Sequence, residues 1–268
     1  MASYDHLTSL TVTKEDGIGI VTLNRPDRLN AFDEDMHSQV EQVWPILADD
    51  EDINVIVLTG AGRAFSAGGD IKGMIARFGT PEGRRRSLGT TRHAKNLVGQ
   101  ILNVQKPIIS AVNGDAMGLG ATVALVCDIS VISETAKLGD THVRVGLVAG
   151  DGGTTIWPLL IGVNRAKEFL MRGRVVSGRE AAEMGIANHA VPADQVMDEA
   201  MKIARELNAL PPLAVQWTKV SANQILKQQF NLAFDSGIAF EALSMNSADH
   251  NEACLAFVEK RKGAFKGE

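Results

Sequence analysis

The strongest constraint on how this chain can fold is a change of periodicity along its length. Up to about residue 192, short β-rich runs alternate with amphipathic stretches, which favours an α/β arrangement of helices on a sheet. Candidate strands are 7–12, 18–23, 55–58, 108–112 and 129–132. Between them the spacing predicts helices over 33–47 and 81–104 and one after the glycines at 118 and 120, with Asp33 as a natural N-cap of the first. Beyond Pro192 the strand signal stops, and helices are predicted over 193–210, 212–229, 232–244 and 248–262. Val196, Ala200, Ile203 and Leu207 recur at helical spacing, so this tail has an apolar face to bury against the core or a second subunit. The expected organisation is a core over 1–192 that carries the site and a helical region over 193–268.

At 268 residues and 45% hydrophobic content, the chain can bury a substantial core. A net charge of -5 argues against a nucleic-acid partner, although Arg84-Arg85-Arg86 and Lys260-Arg261-Lys262 could each meet a phosphate. No apolar run approaches the roughly 20 residues that span a bilayer, and the expected place is the cytoplasm, with no membrane partner. Cys127 and Cys254 lack ligand spacing, so neither a disulfide nor a metal is expected.

Two segments carry chemistry. Ala67-Gly68-Gly69-Asp70-Ile71-Lys72 follows a strand, and small residues at a strand-to-helix turn let a ligand approach free backbone amides. Asn113-Gly114-Asp115-Ala116-Met117-Gly118-Leu119-Gly120 repeats that character after the strand at 108–112. Two N–H groups converging on one oxygen would form an oxyanion hole, though sequence spacing alone does not show that they converge.

These turns, together with Asn24-Arg25-Pro26-Asp27-Arg28-Leu29-Asn30-Ala31, Lys106-Pro107, Cys127-Asp128-Ile129 and Ala256-Phe257-Val258-Glu259-Lys260-Arg261, resemble the crotonase (enoyl-CoA hydratase/isomerase) superfamily in the right order. The resemblance implies a spiral of ββα units with a C-terminal helical trimerisation region, giving a homotrimer or a dimer of trimers. It implies an acyl-CoA substrate, with CoA as part of that substrate and no separate cofactor. The thioester enolate would be held by the amides of Ala67 and Leu119, with Gly118 as the alternative if the second loop is offset by one residue. Arg25, Arg28, Asp70, Ile71 and Lys72 would lie along the CoA, and Phe257 and Lys260 would reach it, sometimes across a subunit boundary.

The hydratases of this superfamily position water between two glutamates, and the corresponding places here are Thr122 and His142. A threonine hydroxyl cannot serve as the base, whereas a histidine can if a carboxylate holds its other ring nitrogen. Asp151 is the candidate partner, although its place ahead of Gly152-Gly153-Thr154 also suits a helix N-cap. Locally, His142, Asp151 and Trp157-Pro158 resemble 6-oxocamphor hydrolase, a carbon–carbon hydrolase of cyclic β-diketones that has a histidine near the position of Leu119. The readings left open are acyl-CoA hydration or isomerisation with His142 and Asp151 as acid/base groups, CoA-free hydrolysis of a β-dicarbonyl, and a catalytically weak acyl-CoA binder.

Overall fold

The computed structural model describes residues 3–268. In chain order its strands are β1 (Leu10–Glu15), β2 (Ile18–Leu23), β3 (Val55–Gly60), β4 (Ala64–Ser66), β5 (Ile108–Val112), β6 (Asp115–Met117), β7 (Ile129–Ser133), β8 (Lys137–Gly139), β9 (Val176–Ser177) and β10 (His189–Val191). The helices are α1 (Glu34–Asp49), α2 (Ile71–Arg77), α3 (Pro81–Asn103), α4 (Leu119–Val126), α5 (Gly153–Ile161), α6 (Val163–Arg172), α7 (Gly178–Glu183), α8 (Val196–Asn208), α9 (Pro212–Ser244) and α10 (Ala248–Glu259).

A six-stranded sheet runs in the order β1-β2-β3-β5-β7-β10, and a second sheet in the order β4-β6-β8-β9. Three times the chain lays one strand in the first sheet, steps to a short strand in the second, and then enters helical structure. The steps are β3 to β4, β5 to β6 and β7 to β8, which is the ββα spiral expected from the resemblance. Because β4, β6 and β8 are parallel neighbours, the turns leaving their C-terminal ends emerge side by side. That juxtaposition builds the site.

The first sheet has an apolar layer on each face. Trp44, Leu97, Ile101 and Phe234 belong to the larger core, and Val196, Ala200, Met201 and Ala204 of α8 cover Val55, Val57, Ile109 and Val131 on the opposite face. The helical tail therefore completes the packing of the sheet instead of standing apart from it.

Three elements differ from the sequence expectation. The first strand spans Leu10–Glu15 instead of 7–12, because Asp16 and Gly17 both adopt positive φ in a two-residue turn that pairs Glu15 with Ile18. The helices expected over 212–229 and 232–244 are one continuous helix, α9. Phe230, Phe234, Ile238 and Glu241 form its buried stripe and run straight through the expected break. The second sheet has no counterpart in the sequence reading, since its strands are two or three residues long and too short to show a period.

Candidate active site

The first turn is shaped by the segment at 24–31. Asn30, fully buried and at positive φ, donates from Nδ2 to the carbonyls of Ala61 and Ala64 and accepts from the Arg25 amide. Ser66 donates to the Asn30 carbonyl at 2.8 Å, and the Ala67 N–H donates to the Leu29 carbonyl at 2.9 Å. That last bond corrects the expectation for Ala67, whose amide is already used within the fold. Among the described residues, the Gly69 N–H is the free amide of this turn. In the parallel bridge to Phe32, the bonds run from Phe32 N–H to the Gly68 carbonyl and from Asp70 N–H to the Phe32 carbonyl, so Gly69's own N–H points to the other side.

The second turn settles the one-residue ambiguity. Gly118 donates its N–H to the Gly139 carbonyl at 3.0 Å, whereas Leu119 is the first residue of α4. Among the described residues, the Leu119 N–H has no acceptor within hydrogen-bonding reach. The two turns are in contact. A Cβ built on Gly68, which sits at φ +83°, would lie 2.5 Å from the Met117 carbonyl oxygen, so only glycine permits this approach.

The end of β8 supplies the third segment. His142 packs its ring against Gly118, is 8% exposed, and lies between two carboxylates. Its Nδ1 is 2.8 Å from Asp140 Oδ1, and its Nε2 is 3.1 Å from Asp151 Oδ2. Burial opposes a charge on this ring, but the Asp151 and Asp140 carboxylates outweigh it and hold the imidazole well above its ordinary pKa. Both ring nitrogens of His142 thus face carboxylate oxygens, and the ring is fixed from either edge.

Asp151 does not act as a cap. Gly152 occupies the N-cap of α5, and the Asp151 carboxylate turns instead to His142 and to Thr122, whose hydroxyl donates to Oδ1 at 3.2 Å. A Cβ on Gly153 would lie 2.0 Å from Asp140 Oδ2, so this glycine makes room for that carboxylate at the N-terminal end of α5, where helix amides favour negative charge. Asp140, His142 and Asp151 are the one cluster of potential metal ligands among the described residues. The two carboxylates sit on opposite edges of the imidazole, one at each ring nitrogen.

Sequence reasoning missed Asp140 and Glu241. Asp140 could have been found from its place two residues before His142 at a strand end. Glu241 offered no such signal, because it reaches the site from α9, about 90 residues further along the chain. A close crossing brings it there: a Cβ on Gly150 would sit 2.2 Å from the Gly237 carbonyl oxygen, and Glu241 Oε2 accepts from the Gly150 N–H at 3.0 Å. Burial, reinforced by the neighbouring Asp151 carboxylate, pushes Glu241 up to about 8, so it is a neutral acid at pH 7.

Gly69, Leu119, His142, Asp151 and Glu241 all line one cavity, with Ala67, Asp70 and Ile71 at its wall. The remaining expected ligand contacts are not in that wall. Arg25 is paired with Asp33, Arg28, Lys72 and Lys260 are exposed, and Phe257 projects into solvent from α10. No helix among the described residues is long and apolar enough to cross a membrane.

Residues 13–268 match the family model described as enoyl-CoA hydratase/isomerase. The probable mitochondrial enoyl-CoA hydratase of Dictyostelium discoideum is 33% identical over 255 residues, covering 94% of this chain and 88% of its own. The 1,2-epoxyphenylacetyl-CoA isomerase of Escherichia coli K12 is 34% identical over 256 residues, covering 95% and 97%. Among solved structures, an enoyl-CoA hydratase/isomerase from Mycobacterium paratuberculosis superposes with a TM-score of 0.88 at 37% identity, covering 94% of this chain and 99% of that one.

Proposed function

The chain belongs to the enoyl-CoA hydratase/isomerase family, and from that premise we propose that it moves a proton beside the carbonyl of an acyl-CoA thioester, through an enolate held by the amides of Gly69 and Leu119. The observation that supports this reading is the meeting of three strand ends, which sets two uncommitted amides and the Asp151 carboxylate around one cavity. The amides face the oxygen where negative charge develops, and they need no reorganisation as the reaction proceeds.

Asp151 and Glu241 divide the proton work. Asp151 takes the proton from the carbon next to the carbonyl, and the electrons move into the oxyanion. Glu241, kept protonated by its surroundings, returns a proton to carbon. The two carboxyl groups stand in for the two glutamates absent at Thr122 and His142. His142 donates to Asp151 and is itself oriented by Asp140, so its part is to fix the base and steady its charge. CoA enters with the substrate as the only coenzyme, and the enzyme works in the cytoplasm.

Crotonyl-CoA and 3-enoyl-CoA thioesters incubated in D2O provide the test. The expected result is deuterium at C2 of the 3-enoyl thioester and at C4 of crotonyl-CoA, the two positions that feed one dienolate, abolished by Asp151→Asn; a wild-type enzyme that exchanges none rejects the reading. A second reading follows from the nearness of Asp151 and Glu241, which suits a water held between them and hence hydration, or hydrolysis of a β-dicarbonyl. Turnover in H2(18)O separates these by whether label enters the product. The homotrimer, or dimer of trimers, belongs with the same proposal: α9 leaves Trp217, Ile225, Leu232, Phe240 and Leu243 exposed, an apolar surface that suits a second subunit. Light scattering that gives a monomer would reject it.

A further inference from the structure

The end of the cavity away from His142 is more polar than a pocket for a plain hydrocarbon chain requires. One face of α3 lines it with Gly83, Ser87, Thr90 and Ala94, at helical spacing and all small. Asn246 donates to Ser87 at 2.9 Å across the same space. Arg77 from the end of α2 and Arg86 from α3 complete the wall, and their helices are locked together, since a Cβ on Gly83 would lie 2.1 Å from the Arg77 carbonyl oxygen.

Neither guanidinium is well paired. Among the described residues Arg77 forms no ion pair, although its guanidinium and the Asp70 carboxylate both lie over Gly73. Arg86 meets only Glu34, at 3.2 Å, and that glutamate side chain is 79% exposed, so the contact contributes little. Asp33 and Asp70 are the other carboxylates near Arg86, and Asp33 is held by Arg25. Burial, and next the Arg77 charge, lower the Arg86 pKa, as expected of two cations sharing a partly desolvated wall.

We infer that this end of the cavity is a subsite for a carboxylate at the far end of the acyl group, held by Arg77 and Arg86. The natural substrates are then thioesters of dicarboxylic acids, an inference that rests on the acyl-CoA reading above. A planar guanidinium can grip a carboxylate with two parallel bonds, and the small residues of α3 leave room for the chain that delivers it.

Calorimetric titration with glutaconyl-CoA and with 2-pentenoyl-CoA, which has the same chain length but no carboxylate, tests the subsite without presuming the reaction. The wild type is expected to bind the dicarboxylic thioester about 10–100-fold more tightly, the range of a charge-assisted pair. In Arg86→Gln the ratio should fall towards one, and Arg86→Lys should keep part of it. Because the readout is a ratio within each variant, loss of folded protein does not imitate the result. Equal affinities in the wild type overturn the subsite while leaving the acyl-CoA reading intact. If neither thioester binds, the acyl-CoA reading fails, and glutarate against glutaramide decides the subsite. Glutarate binding that is lost in Arg77→Gln and Arg86→Gln supports it, and no preference for glutarate overturns it.

Discussion

The two ends of the cavity handle protons in opposite ways. At the inner end His142 is held between Asp140 and Asp151, and Glu241 is buried beside them, and both groups are pushed above their ordinary pKa. His37 lines the same cavity, yet burial lowers it to about 4, an effect that Glu41 and Asp151 oppose and Arg86 and His93 reinforce. The imidazoles differ because His142 has a carboxylate at each nitrogen, whereas no carboxylate among the described residues is bonded to the His37 ring. Burial alone does not set the sign of a shift; the charges that accompany it do.

The largest effect expected is on the inner end. Asp151→Asn should lower turnover by about 10²–10⁴-fold, the range of a lost general base, measured on whichever thioester shows deuterium exchange. An unchanged rate would move the base elsewhere. Between the two ends, Gly68→Ala should cost about 3 kcal/mol in chemical denaturation, since a Cβ would strain a left-handed residue and meet the Met117 carbonyl.

The pH dependence of stability sharpens the comparison. Glu241 has its folded pKa raised from 4.5 to about 8, so the folded state keeps a proton that the unfolded chain releases, and its contribution is lost as pH rises across that window. His142, also raised, adds a loss beginning above 6.5. Glu241→Gln should therefore flatten the fall in Tm between pH 5 and 8 seen in thermal scans, leaving the part due to His142. The same variant still accepts the Gly150 amide bond, so a loss of turnover in it would report the missing acid and not a collapsed loop.

A smaller change of opposite sign belongs to His37. His37 has its folded pKa depressed from 6.5 to about 4, so its contribution is present above 6.5 and is lost as pH falls, because the unfolded chain takes up the proton first. His37→Gln should flatten the acid limb of the Tm profile between pH 6.5 and 4, by less than Glu241→Gln flattens the other limb, because the shift spans fewer pH units. If both variants flatten the same limb, the contrast between the two ends is wrong.

Local pattern made much of the molecule legible. The strands at 18–23 and 108–112, the Asp33 cap, whose carboxylate accepts from the Met36 amide, and the two glycine turns follow from residues close in sequence. The pairing of His142 with Asp151 was readable because nine residues separate them. The free amide at Gly69 was not, because only the bonds of Ala67 to Leu29 and of Gly68 to the Ser66 hydroxyl, with the bridge to Phe32, show which of three consecutive N–H groups remains available.

The sequence by itself determined the class of fold, the family and the chemistry of the turns, since helix caps, glycine turns and apolar periods act over a few residues. Tertiary structure alone decided which groups share the cavity. The second sheet aligns the ends of β4, β6 and β8 through pairings some 20 to 50 residues apart, and the Gly150–Gly237 crossing carries Glu241 to Asp151. The pKa values follow from that assembly, because desolvation and charge act through space, and no local pattern records which charges a fold will bring together.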